Sequence, residues 1–225
     1  EAVYSADPKV VLDAIRLSEV TYDEMLELSR HGAKVLNADA VEFARRSNIA
    51  LFTRSTFHPE AEGTVIRKDM PCAARTVTGV VGRKGLVGLR VAGLPSSFGA
   101  AWSWLYGNEL VPDYACVDPE GRGLLLFSDA VNVALEGHLQ CGAALSGAEV
   151  LVGLGVVTVI GDVFGDEAVR RPMLDVLASL DELRGMVMTP TSVTVVLPEA
   201  AVDEATRRMH AACLPGLCTG DTRAG

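Results

Sequence analysis

Thr21-Tyr22-Asp23-Glu24-Met25-Leu26-Glu27-Leu28-Ser29-Arg30-His31-Gly32-Ala33-Lys34-Val35-Leu36-Asn37 reads as a capped helix, a stop and an isolated cation. Thr21 and Glu24 have the Thr-x-x-Glu spacing of a capping box, in which the hydroxyl accepts the N–H three residues on and the glutamate reaches back. Tyr22, Met25 and Leu26 give the helix an apolar face, and Gly32 is a natural stop. Lys34 follows between small and apolar residues, so chemistry is first sought there. On its own, a lysine at a helix end is more often a solvated partner of the macrodipole.

Upstream, residues 3–6 read as the end of a strand or loop, closed by Asp7-Pro8 because proline keeps its predecessor out of the helical region. Residues 10–17 read as an apolar connector. Downstream, a second helix is expected at about 38–47, capped by Asn37 or Asp39, with Val41, Phe43 and Ala44 apolar along it. Strands are expected at 49–53 and 63–66, with a polar loop from Phe57 between them. Arg67-Lys68-Asp69-Met70-Pro71, charged and ending in proline, has the character of a domain boundary.

Beyond that boundary a repeat appears. The first unit predicts strand 85–93, helix 97–106, strands 113–117 and 123–127 around Asp118-Pro119-Glu120-Gly121, helix 129–139 and strand 148–152. The second predicts strand 155–160, a Gly161-Asp162 loop, helix 167–180, strands 185–189 and 192–197, and helix 200–212. The order is βαββαβ and then βαββα. A spare strand at 76–81 precedes the first unit, and the simplest way to satisfy its edge is to let it complete the second unit's sheet. The two units then interlock.

Bulk properties narrow the function. With 49% apolar and 22% charged residues, the 225-residue chain can bury a proper core. A net charge of −9 and an aromatic content of 5% argue against nucleic-acid binding, which needs basic surface and stacking platforms. No apolar run reaches the roughly 20 residues of a membrane helix, and residues 150–160 read as buried strand. The start shows no signal-peptide pattern, so a cytoplasmic location is expected. It also opens inside an apolar stretch without methionine, which leads to the expectation of a longer protein. The five cysteines are scattered and lack the second close pair a zinc site needs, so they read as reduced thiols and no metal site is expected.

The residues then line up with a known family. Val3-Tyr4-Ser5-Ala6-Asp7-Pro8-Lys9, Tyr22-Asp23-Glu24-Met25-Leu26-Glu27-Leu28, Gly32-Ala33-Lys34-Val35-Leu36, Val41-Glu42-Phe43-Ala44, Ser55-Thr56-Phe57 and Gly63-Thr64-Val65-Ile66 follow in order. This series closely resembles the C-terminal part of the aspartokinase catalytic domain. The paired units look like the tandem ACT domains that follow it in that family. The implied fold class is α/β and α+β: the end of an amino-acid-kinase fold, then two interlocked ferredoxin-like ACT domains. The divisions expected are 1–67 for the kinase part, 68–75 linker, 76–84 for the strand completing the second ACT unit, 85–153 and 154–213 for the two units, and 214–225 tail.

The resemblance implies transfer of the γ-phosphoryl group of ATP, with Mg2+, to the side-chain carboxylate of aspartate. This is the first step towards lysine, threonine and methionine. The family's ATP contacts fall on Tyr4, Lys9, Lys34 and the adjacent Val35. Phosphoryl transfer relies on positioning and charge neutralisation, which a lysine supplies as a point charge. Lys9 stands where arginine is usual, which loses a bidentate phosphate contact. Catalytic and aspartate-binding residues are expected upstream of Glu1, so this stretch alone should not turn over substrate. His31 and His58 match no ligand pattern and read as surface residues. Trp102, Trp104 and Tyr106 read as core or dimer seam.

For an amino-acid effector, lysine or threonine, the matching loop positions are Ser96, Ser97, Phe98, Asn108 and Asp162, although the typical ACT motifs are altered there. A homodimer through the ACT units is expected. Two alternatives stand beside the enzyme: a noncatalytic regulatory subunit, and a related kinase with another carboxylate acceptor.

Overall fold

Valine- and leucine-rich segments with period-two alternation build the sheet that dominates the fold. The structure, a computed structural model, describes residues 2–33, 35–54, 62–68, 75–91, 96–128 and 135–214. Chain order is β1 (Glu19–Thr21), α1 (Tyr22–Arg30), α2 (Ala38–Ser47), β2 (Leu51–Thr53), β3 (Thr64–Arg67), β4 (Val77–Val91), α3 (Ser96–Gly107), β5 (Tyr114–Val117) and β6 (Gly123–Ser128). Then come α4 (Leu135–Ser146), β7 (Glu149–Gly161), α5 (Glu167–Ala178), β8 (Gly185–Thr189), β9 (Ser192–Pro198), a short 3-10 turn and α6 (Val202–Cys213).

Strands β4 and β7 are long enough to serve two sheets. The second half of β4 lies between β7 and β6, with Leu89 opposite both Val150 and Leu125, and β6 pairs on with β5. The first half of β4 pairs with the second half of β7, Val80 opposite Val159, and β7 continues to β9 and β8. All these pairings are antiparallel. The ring β4-β6-β5-β8-β9-β7 closes through one residue pair, Val117 with Met186. The expected fold class of two interlocked ferredoxin-like units holds.

The strand boundaries differ from the sequence reading in an instructive way. The strands expected at 76–81 and 85–93 merge into β4 over Val77–Val91, with 92–93 outside the described residues, and those expected at 148–152 and 155–160 merge into β7 over Glu149–Gly161. The register shifts between Arg83 and Leu86, and again between Leu86 and Gly88. Gly85 (φ +70) and Gly153 (φ +68) take left-handed backbone at these irregularities, so glycine lets the ladder bulge without ending. Helix α4 is described over Leu135–Ser146 and runs past the expected end at 139, while 129–134 lie outside the described residues. A Cβ at Gly142 would sit 2.4 Å from the Trp104 ring, so close packing on α3 overrides glycine's poor helix propensity.

Alternation sorts the strands among three cores. Leu125 and Phe127 face α3 and α4 with Leu89, Leu105 and Leu139, while Leu124 and Leu126 turn inward against Leu86, Leu154 and Val196. Val157, Val159, Val193 and Val195 face α5 and α6 against Met173 and Met209. Each fully buried leucine or valine here contributes about 1.5–3 kcal/mol.

The N-terminal part forms a small sheet of order β1-β3-β2, in which β1 runs parallel to β3. The sequence reading missed β1, whose three residues are too few to show a period. The core of this part contains Val3, Leu17, Val20, Met25, Leu28 and Ile66, and it also takes in Val81 of β4 and Ile160 of β7. Kinase-like and ACT-like parts therefore share one hydrophobic core.

Candidate functional site

Helix α1 carries the candidate site at one end and a polar anchor at the other. At its start the expected capping box is formed: Glu24 N donates to Thr21 Oγ1 at 3.2 Å, and Thr21 N donates to Glu24 Oε2 at 2.8 Å. The second carboxylate oxygen reaches the barrel, accepting from Thr78 Oγ1 at 2.6 Å and from Arg75 Nε at 3.2 Å. Burial alone pushes the Glu24 carboxyl up, but the hydrogen bonds from Thr78, the Thr21 backbone and Arg75 outweigh it and hold it below its usual value.

At the other end lies a correction. His31 is no surface residue: its side chain is 15% exposed and its ring stacks on Tyr114, centroids 5.7 Å apart. Its Nδ1 lies 3.3 Å from the Tyr114 hydroxyl and 3.4 Å from that of Thr158, while Nε2 faces Glu27 at 3.6 Å. Burial lowers its affinity for a proton, partly offset by Glu27. Gly32 follows with φ +107, and a Cβ there would lie 3.2 Å from Arg83 Cδ, so the turn packs directly on an arginine stem from β4.

Ala33, Val35 and Leu36 pack on the N-terminal core, and Asn37 caps α2 by accepting from Asp39 N at 2.7 Å. Lys34 lies outside the described residues, as do Ser55, Thr56, Phe57 and His58. Tyr4 is half-buried in an isolated bridge to Arg16, and its neighbour Val3 belongs to the same apolar cluster that Val35 packs against. Lys9 is exposed on a turn where its N–H donates to Asp7 Oδ1 at 2.9 Å. The segments carrying Tyr4 and Val35 thus rest on one core.

A second buried link escaped the sequence reading. Ser5 Oγ and His210 Nε2 of α6 are 2.9 Å apart, and both residues are at most 2% exposed. Burial lowers the His210 pKa, against the pull of Asp13.

In the ACT-like part, Phe98 stacks on Trp102, centroids 5.8 Å apart, in the first turns of α3. Asn108 closes the far end of that helix, its Nδ2 donating to Trp104 O at 2.8 Å. Ten residues at 1.5 Å each put about 15 Å of helix between Phe98 and Asn108. Asp162 is exposed and accepts from Gly165 N at 3.0 Å, and the side chains of Ser96 and Ser97 lie outside the described residues. Trp104 packs into the first unit's core, whereas Trp102 and Tyr106 stand 43% and 82% exposed. Burial pushes the Cys116 and Cys213 thiols up to about 11 and about 12, which makes both poor nucleophiles.

The model of the amino acid kinase family matches residues 1–55. The aspartokinase of Bacillus sp. (strain MGA3) is 31% identical over 224 residues, covering 93% of this chain and 54% of that protein. The chain belongs to the aspartokinase family. The aspartokinase of Mycobacterium tuberculosis (strain H37Rv) is 39% identical over 104 residues, covering 45% of this chain and 24% of that one. E. coli aspartokinase III, solved with aspartate and ADP in an R-state, superposes over 94% of this chain and 50% of its own, with a TM-score of 0.78 and 22% identity. The same enzyme solved with lysine and aspartate in a T-state gives 0.76. The chain spans about half the length of the aspartokinases it matches from end to end. Among its described residues no helix is long and apolar enough to cross a membrane, and no three metal-ligating side chains cluster.

Proposed function

We propose that this chain works as the C-terminal half of an aspartate kinase, which moves the γ-phosphoryl group of ATP to the side-chain carboxylate of aspartate. The observation that carries the reading is the kinase-family match over residues 1–55 on a segment that shares its hydrophobic core with the ACT pair. A regulatory subunit has no use for such a segment, which disfavours the noncatalytic alternative. Tyr4, Lys9, Lys34 and Val35 are the ATP contacts of this half. Mg2+ enters with the triphosphate, and the aspartate site belongs to the upstream half. The relevant divisions are 1–67 for the kinase part and 85–153 and 154–213 for the ACT units, with 76–84 completing the second. Lysine or threonine is the effector, met by Ser96, Ser97 and Phe98 at the start of α3; Asn108, about 15 Å along that helix, does not reach the same molecule. The exposed Trp102–Tyr106 face serves a homodimer, and the enzyme is cytoplasmic.

Removing one phosphate-facing cation should weaken nucleotide binding selectively. With the upstream half present, Lys34→Met is expected to raise KM for ATP at least about tenfold, while KM for aspartate stays within about threefold. An unchanged KM for ATP would remove Lys34 from the site. In calorimetry, lysine or threonine should give saturable heat with the wild-type chain; silence from both would leave the ACT pair an assembly platform only.

A further inference from the structure

His31 stands where three parts of the molecule meet. It closes α1, three residues before Lys34, and it touches both ACT units: Tyr114 lies on β5 of the first and Thr158 on β7 of the second. Tyr114 belongs to the apolar core between the two sheets, and Thr158 is fully buried. The two contacts reach across 83 and 127 residues of sequence.

The chemistry of the ring makes the two contacts exclusive. Glu27 presents a carboxylate that can only accept, so the nitrogen facing it, Nε2, carries the proton of the neutral imidazole. Burial keeps the ring neutral near neutral pH, with Arg30 and Arg83 adding to the effect and Glu27 opposing it. Nδ1 is then an acceptor with one lone pair. Two hydroxyls approach it at nearly equal distance, 3.3 Å for Tyr114 and 3.4 Å for Thr158. Each has another partner to fall back on. Thr158 Oγ1 lies 2.9 Å from Thr194 Oγ1 of β9, and the Tyr114 hydroxyl interacts with Thr158 itself and with Arg83, which also pairs with Asp113 at 3.3 Å.

A small shift of one ACT unit against the other therefore changes which hydroxyl holds the lone pair. We propose that His31 is a positioning residue that carries the relative placement of the two ACT units to the turn at Gly32, just ahead of Lys34 in the chain, through the competition of Tyr114 and Thr158 for Nδ1. The inference rests on the reading of Lys34 as an ATP contact. Gly32 and Arg83 stiffen the path: the turn lies on the stem of the arginine that also holds Tyr114 and Asp113.

The test uses the chain with its upstream half, labelled with 15N-histidine. The expected spectrum has a protonated Nε2 and an unprotonated Nδ1 for His31, and the Nδ1 resonance moves in both Thr158→Val and Tyr114→Phe. An Nδ1–H tautomer, or an Nδ1 signal indifferent to both substitutions, overturns the proposal whatever Lys34 does. In kinetics, His31→Phe keeps the stack but not the lone pair. It should raise KM for ATP about threefold or more with kcat within about twofold, and His31→Asn, which places an acceptor oxygen near Nδ1, should recover most of the loss. Thr158→Val should add nothing further in the His31→Phe background. If Lys34→Met raises KM for ATP and His31→Phe does not, the coupling is wrong and the site stands. If Lys34→Met itself has no effect, the site assignment fails and takes the coupling with it.

Discussion

Gly161→Ala is expected to destabilise the protein by about 3 kcal/mol or more, enough to lower the urea midpoint sharply. Gly161 ends β7 and stands opposite Val77, where the strand that opens β4 joins the second sheet. Its φ of +141 lies in a region that side-chain-bearing residues rarely adopt. An added Cβ would lie 2.2 Å from Thr76 O and 2.7 Å from Val77 Cα. Both are backbone atoms, so no rotamer change relieves the clash. The strand pair must separate, and the interlock of the two units begins there. Gly153 supplies the control. Its φ of +68 is also left-handed, but a Cβ there meets nothing within 4 Å, so Gly153→Ala should cost only about 1 kcal/mol. Equal losses at the two positions would mean that conformational strain, and not the Thr76 contact, sets the cost at Gly161.

Local signals in the sequence carried far, and non-local ones did not. The Thr21–Glu24 box, the Asn37 cap and the alternating strands depend on neighbours within a few residues, so their chemistry is legible in the chain itself. The continuity of β4 and β7 was hidden because glycine reads as punctuation, whereas Gly85 and Gly153 here bend a strand without ending it. His31 read as a surface residue because it matches no ligand pattern, and what buries it arrives 83 and 127 residues later. The Ser5–His210 pair is equally invisible in the chain, its members lying 205 residues apart. For the candidate ATP site, the family resemblance implies Tyr4, Lys9, Lys34 and Val35. The structure adds that the segments holding Tyr4 and Val35 rest on one core, and that the helix leading to Lys34 is wedged against the barrel.

The anchor at the other end of that helix gives the second large effect. Glu24→Ala removes one carboxylate that serves four donors: the Thr21 N–H and hydroxyl, the Thr78 hydroxyl and the Arg75 guanidinium. The cap alone is worth about 1 kcal/mol. Glu24→Ala also takes the carboxylate from Arg75, whose side chain is 19% exposed and which keeps its bond to Glu19 O, so part of the charge compensation in a half-buried place is lost. Together these predict a loss of about 2–4 kcal/mol, read as a lower urea midpoint with unchanged slope. The acid dependence follows from the same contacts. Hydrogen bonds from Thr78, the Thr21 backbone and Arg75 outweigh the burial that would raise the Glu24 pKa, so its folded-state value lies below 4.5. Between those two values the unfolded chain binds the extra proton, so the stabilisation is fully present above the ordinary glutamate range and is lost as pH falls through the folded-state value. Wild-type stability should therefore fall more steeply below pH ~5 than that of Glu24→Gln, which keeps the shape and loses the titration. Parallel pH profiles for the two proteins would show that Glu24 is not what ties α1 to the barrel. A steeper wild-type fall would assign to one carboxylate both the start of the helix that leads to Lys34 and its attachment to the ACT pair.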